Sequence, residues 1–122
     1  MNRNPVGQRE KTIIYKKYNG HCAYCGKSIT REEMRLAWHI PGKDGGTCSL
    51  FNLQPACISC SMYKRDKSVE EFRKFIDSTP ILLQKKFAMY RLCVYLGVIE
   101  EKDTRTKFYF EMSKREKEEF HE

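Results

Sequence analysis

Four of the six cysteines fall into two matched pairs, Cys22-x-x-Cys25 and Cys57-x-x-Cys60. A two-residue gap lets both thiolates of a pair face one ion, and two pairs complete a tetrahedral four-sulfur site of the kind that holds structural Zn2+. The 31 residues between the pairs (26–56) exceed the usual ribbon spacing of about 15–20, but lengthening a loop costs little, about 0.6 kcal/mol per doubling. The competing chemistry for such pairs is thiol redox. A small residue follows each pair, Gly26 and Ser61, which suits a metal knuckle. Cys48 and Cys93 stand alone and read as small apolar fillers. His21 and His121 lack any partner pattern and receive no role.

The elements that position these residues follow from capping and periodicity. A helix is expected from Pro5 to Tyr18, with Asn4 as N-cap and Asn19-Gly20 as the left-handed stop. Arg35–Ile40 alternates and reads as a strand, with Leu36, Trp38 and Ile40 on one side and Ala37 and His39 on the other. PGKDGG (41–46) is a loop, and Leu50–Leu53 a second short extended segment before Pro55. A short helix is expected from about Cys57 to Arg65. Ser68-x-x-Glu71 reads as a capping box for the next helix. Thr79-Pro80 should start a longer helix to about Leu96, and Phe108–Phe110 a lone strand, followed by a charged tail. The expected division is a zinc-binding core with the N-terminal helix at 1–78, and a C-terminal helix, short strand and tail at 79–122 packed on the same domain.

The chain has 122 residues and a formal net charge of +7. Residues 100–122 hold eight acidic against six basic side chains, so residues 1–99 carry +9. A basic body of this kind attracts polyanions. Lys64, Arg65 and Lys67, just after the second cysteine pair, are the candidate nucleic-acid or partner contacts, supported by Arg9, Lys16 and Lys17. The first ten residues, MNRNPVGQRE, lack an apolar signal region, and no apolar run approaches the roughly 18 residues of a membrane span. Six cysteines without such a signal point to a reducing compartment, the cytoplasm.

Three linked segments, HCAYCGKSI, WHIPGKDGG and SLFNLQPACISCSMYK, resemble the HNH endonucleases of the four-cysteine zinc-ribbon type. Together with the EEFR stretch (Glu70–Arg73) and FYFE (Phe108–Glu111), the chain is similar to the small HNH proteins of bacteriophages over roughly residues 9–111. The resemblance implies an α+β fold: a ββα-metal core with a four-cysteine zinc ribbon, here carrying a C-terminal helical extension. It implies cleavage of phosphodiesters with Mg2+ or Mn2+, the ion stabilising the transition state and the leaving oxygen. Carried over by residue, His39 matches the general base that activates water and Asn52 the brace of the loop behind it.

The two ligand positions depart from the family pattern. Trp38 stands where the family has aspartate, and Ser61 and Met62 stand where the helix supplies Asn or His. Magnesium wants hard oxygen donors, usually a carboxylate, and an indole offers none. Asp44 and Asp66 are the carboxylates close enough in sequence to substitute. Trp38 reads either as core or as an aromatic that stacks on a base or anchors a partner. The expected function is therefore an HNH-derived zinc protein, impaired in catalysis. It would act as a binding or inhibitory module toward nucleic acid or a host defence nuclease, in an anti-CRISPR-like manner. The alternative is an active metal-dependent HNH nicking endonuclease of a phage or mobile element.

Overall fold

In the computed structural model, residues 6–102 and 105–120 are described, and they form an α+β protein with a small two-stranded sheet. The chain divides into two compact units, one of residues 1–69 with 107–122 and one of residues 70–106. The sequence reading drew a single boundary at 78/79. Among the described residues no helix is long and apolar enough to cross a membrane.

The first unit opens with α1 (Gln8–Lys16), capped by Gly7 in extended conformation. The helix is shorter than expected, and the proposed Asn4 cap and Pro5 lie outside the described residues, as does His121. Asn19 (φ 52°) and Gly20 (φ 78°) reverse the chain after it, the conformation that an Asn-Gly stop favours. Strands β1 (Arg35–Trp38) and β2 (Leu53–Ala56) pair antiparallel, Arg35 opposite Ala56 and Trp38 opposite Leu53. The buried face of β1 is the Ala37 side; Leu36 and Trp38 are half-buried and Ile40 is exposed. All four residues of β2 are buried.

Leu50–Asn52 winds into a 3-10 turn rather than an extended segment, and the strand starts only at Leu53. Pro55 sits inside β2, which is tolerated because a two-stranded sheet has only edge strands; its carbonyl accepts from the Ala23 N–H at 2.8 Å. Helix α2 (Ile58–Lys64) follows, so two strands and a helix succeed one another in the order ββα.

Phe108–Phe110 is not a strand. Tyr109–Glu111 forms a 3-10 turn, since its donors go to single carbonyls of the first cysteine knuckle, Tyr109 N–H to Tyr24 at 3.0 Å and Phe110 N–H to Ala23 at 2.7 Å. The Glu111 carboxylate accepts from the Phe108 N–H at 2.9 Å and closes the turn. The charged tail is helix α5 (Lys114–Phe120), started by a reciprocal cap between Ser113 and Glu116. Gly26 (φ 77°) lies against Tyr109 and Phe120, and a Cβ there would come within 2.7 Å of both rings.

In the second unit α3 (Val69–Lys86) runs through Pro80, and α4 (Ala88–Tyr95) begins after a break at Phe87. The expected break at Pro80 is wrong. A proline inside a helix removes the bond to the carbonyl four residues back and costs about 3 kcal/mol; Pro80 stands in a stretch with no buried side chain, and the Thr79 hydroxyl donates to the Phe75 carbonyl at 2.6 Å. Glu70 pairs with Arg73 at 2.9 Å and Arg105 at 2.6 Å, and Arg73 donates to the Thr106 carbonyl at 2.7 Å, tying the end of this unit to its first turn.

Candidate metal centre

The first cysteine knuckle is a tight turn in which Cys22 N–H donates to the Lys27 carbonyl at 2.8 Å and Gly26 N–H to the Cys22 carbonyl at 3.0 Å. The second pair straddles the start of α2: Cys57 is its N-cap, and its sulfur accepts from the Cys60 N–H at 3.3 Å. Tyr24 N–H likewise points at the Cys22 sulfur at 3.4 Å. Such amide contacts favour thiolate over thiol. The turn and the helix start thus present their sulfurs to one point.

All four Sγ atoms lie within 4.8 Å of one another, and the Cys25–Cys57 separation is 3.7 Å. A tetrahedral zinc with bonds of about 2.3 Å requires sulfur–sulfur edges of about 3.8 Å. The donor set therefore fits such an ion in both chemistry and spacing. Without a metal the thiols cannot all ionise. Hydrogen bonds from the Cys25 and Cys60 thiols hold Cys22 down to about 2, and those same bonds to Cys22 push Cys25 up to about 11 and Cys60 higher still. Cys48 and Cys93 are half-buried and lie outside the cluster.

Beside this centre the loop between the strands is built around Asn52. Its side-chain oxygen accepts from the Ile40 N–H at 2.8 Å, and its amide donates to the carbonyls of Ile40 at 3.0 Å and Thr47 at 2.8 Å. Gly46 passes so close that a Cβ would lie 1.7 Å from the Ile40 carbonyl oxygen. Asn52 is buried, so Asn52→Ala is expected to destabilise the protein by about 2–3 kcal/mol through the lost bonds to buried backbone groups. A urea-denaturation midpoint checks this.

His39 follows β1 directly, and its N–H donates to the Asn52 carbonyl at 2.8 Å. Its ring meets Phe110 edge-on at 5.5 Å, and its Nδ1 is buried with no hydrogen-bond partner among the described residues. Of the helix positions examined for ligands, Ser61 is half-buried and Met62 exposed. Among the described residues the four cysteines are the one group of three or more His, Cys, Asp or Glu side chains placed to share an ion; Asp44 and Asp66 form no such group with His39.

The structure corrects Lys64. It is 1% exposed, and its ammonium donates to the carbonyls of Trp38 at 2.6 Å and Lys67 at 2.8 Å, lying 5.7 Å from the Tyr24 ring. It joins the end of β1 to the end of α2 from inside the fold rather than standing on the surface where the sequence placed it. Lys17 is used similarly, donating to the carbonyls of Leu50 at 2.5 Å and Leu53 at 2.6 Å, with desolvation lowering its pKa. Arg65 stays exposed, and Lys67 donates to the Tyr63 carbonyl at 2.9 Å. Neither the burial of Lys64 nor the carbonyl contacts of the exposed Lys17 is visible in the sequence. No protein-family model and no curated protein matches this chain.

Proposed function

We propose that this protein is a zinc-stabilised scaffold derived from the HNH nucleases that binds nucleic acid through backbone charge without hydrolysing it. Zinc is the ion that four thiolates in this arrangement suit best. The observation that carries the loss of hydrolysis is the environment of His39. Its neighbour on the strand is Trp38, which offers no oxygen donor, and its Nδ1 is buried with no hydrogen-bond partner among the described residues, while its ring packs edge-on to Phe110. A general base must reach the proton it removes, and a divalent ion needs oxygen ligands to sit beside it.

Nucleic acid is favoured by charge: residues 1–69 and 107–122 hold sixteen basic and ten acidic side chains. A second reading, inhibition of a host defence nuclease, draws on Phe51, 87% exposed, with Met62 and Tyr63 also exposed in the same unit. Exposed apolar side chains of this size are what protein interfaces use as anchors.

Fluorescence anisotropy with a labelled duplex, titrated across salt concentrations, separates the two. Nucleic-acid binding predicts a log–log slope near −0.9 per phosphate contact, and Arg65→Ala flattens that slope by about 1. No binding at low salt, or binding indifferent to salt, would remove the nucleic-acid reading.

A further inference from the structure

The second unit does not bury itself. Among its described residues, only Phe72 and Arg73, both in the first turn of α3, are buried. No side chain from Lys74 to Lys102 is buried. Yet residues 81–99 carry Ile81, Leu82, Phe87, Met89, Leu92, Tyr95, Leu96, Val98 and Ile99, all exposed. Met89, Leu92 and Leu96 recur at helical spacing on α4, with half-buried Cys93 between them, which makes one apolar stripe. Short helices in water depend on packing of such a stripe.

We propose that residues 70–106 pack against the same residues of a second copy of this chain. Three observations select that occupant. The nine side chains, each 36–86% exposed, together present on the order of the 800 Å² per partner that a stable interface takes. Four polar side chains beside the stripe are matched within the unit: Gln84 and Tyr90 donate to Glu101, and Arg91 donates to the carbonyls of Gln84 and Lys85, which leaves the apolar side chains between them to a partner, as in homodimer interfaces. Finally, residues 70–106 hold seven basic and six acidic side chains, so two copies meet here with almost no net repulsion, whereas the rest of the chain carries the surplus charge.

Sedimentation equilibrium of the full chain from roughly 1 to 100 µM tests this. The expected mass is twice 14.5 kDa, little changed by salt because the contact is apolar. Tyr95 is 86% exposed and Met89 68% exposed, so neither is needed inside one chain. Tyr95→Glu or Met89→Lys should each raise the dissociation constant at least about a hundredfold with an unchanged circular dichroism spectrum, while Phe51→Glu in the other unit leaves the dimer intact. A native chain that stays monomeric at the highest concentration overturns the proposal. So does a dimer that Phe51→Glu breaks and Tyr95→Glu does not.

Discussion

Removal of the metal by a strong chelator, or Cys57→Ser, is expected to unfold the first unit altogether rather than loosen it. Structural zinc contributes an apparent 10–16 kcal/mol at neutral pH, and a domain of this size is stable by about 5–15 kcal/mol in total. The architecture explains the dependence. The sheet has two strands of four residues, and α2 has seven residues. Cys57 caps α2, and the knuckle bearing Cys22 donates to Pro55 of β2 through Ala23, so an ion held by the four sulfurs would fix elements that could not hold one another. The pH dependence has a definite sign. In the metal-free cluster Cys25 and Cys60 hold their protons above the usual thiol range, so binding must expel them and weakens as pH falls. Far-UV circular dichroism during chelation, with release of the ion followed by an indicator dye, checks both the loss of fold and its acid sensitivity. A spectrum unchanged after full metal release would contradict the structural role.

The second large effect belongs to Lys64. Lys64→Met keeps the volume but removes two charge-assisted hydrogen bonds from a side chain that is almost fully buried. The expected loss of stability is about 3 kcal/mol, since bonds to charged groups contribute about 1.5–3 kcal/mol each and the released methylene surface recovers part of it. Lys64→Arg should not rescue it, because the planar guanidinium is larger and cannot take the ammonium's place between two carbonyls. The variant's affinity for duplex DNA, measured where it remains folded, should match that of the native chain. A large drop in affinity with stability intact would show that Lys64 is a surface contact after all.

Lys64 also marks where the sequence stops being legible. A lysine in KRDK after a cysteine pair reads as a surface contact, and only the packing of α2 against β1 brings the Trp38 carbonyl within reach of its ammonium, beside the local Lys67 carbonyl. The cysteine spacing, in contrast, is a local constraint: each x-x gap sets where two sulfurs point, and the four sulfurs do come together. The Asn19-Gly20 stop was readable for the same reason, because it rests on the backbone preferences of two residues. FYFE alternates as a strand does, but a strand needs a partner ladder, and here the neighbouring carbonyls of Ala23 and Tyr24 offer only two acceptors at a turn. Pro80 reads as a helix start because proline suits a first turn; it stands mid-helix, in a stretch with no buried side chain. In the candidate site the identity of each residue was plain, while the packing of the His39 ring against Phe110 joins positions about seventy residues apart in the chain.

The central claim, an HNH-type scaffold whose hydrolytic ion has lost its ligands, is tested most directly by nicking of supercoiled plasmid with Mg2+ or Mn2+. The native chain would run beside Trp38→Asp/Ser61→Asn, which restores oxygen donors at the two positions, and His39→Ala. The account predicts no nicking by the native chain and nicking by the restored variant. Nicking by the native chain that His39→Ala abolishes would contradict it and place the ion on ligands other than those considered.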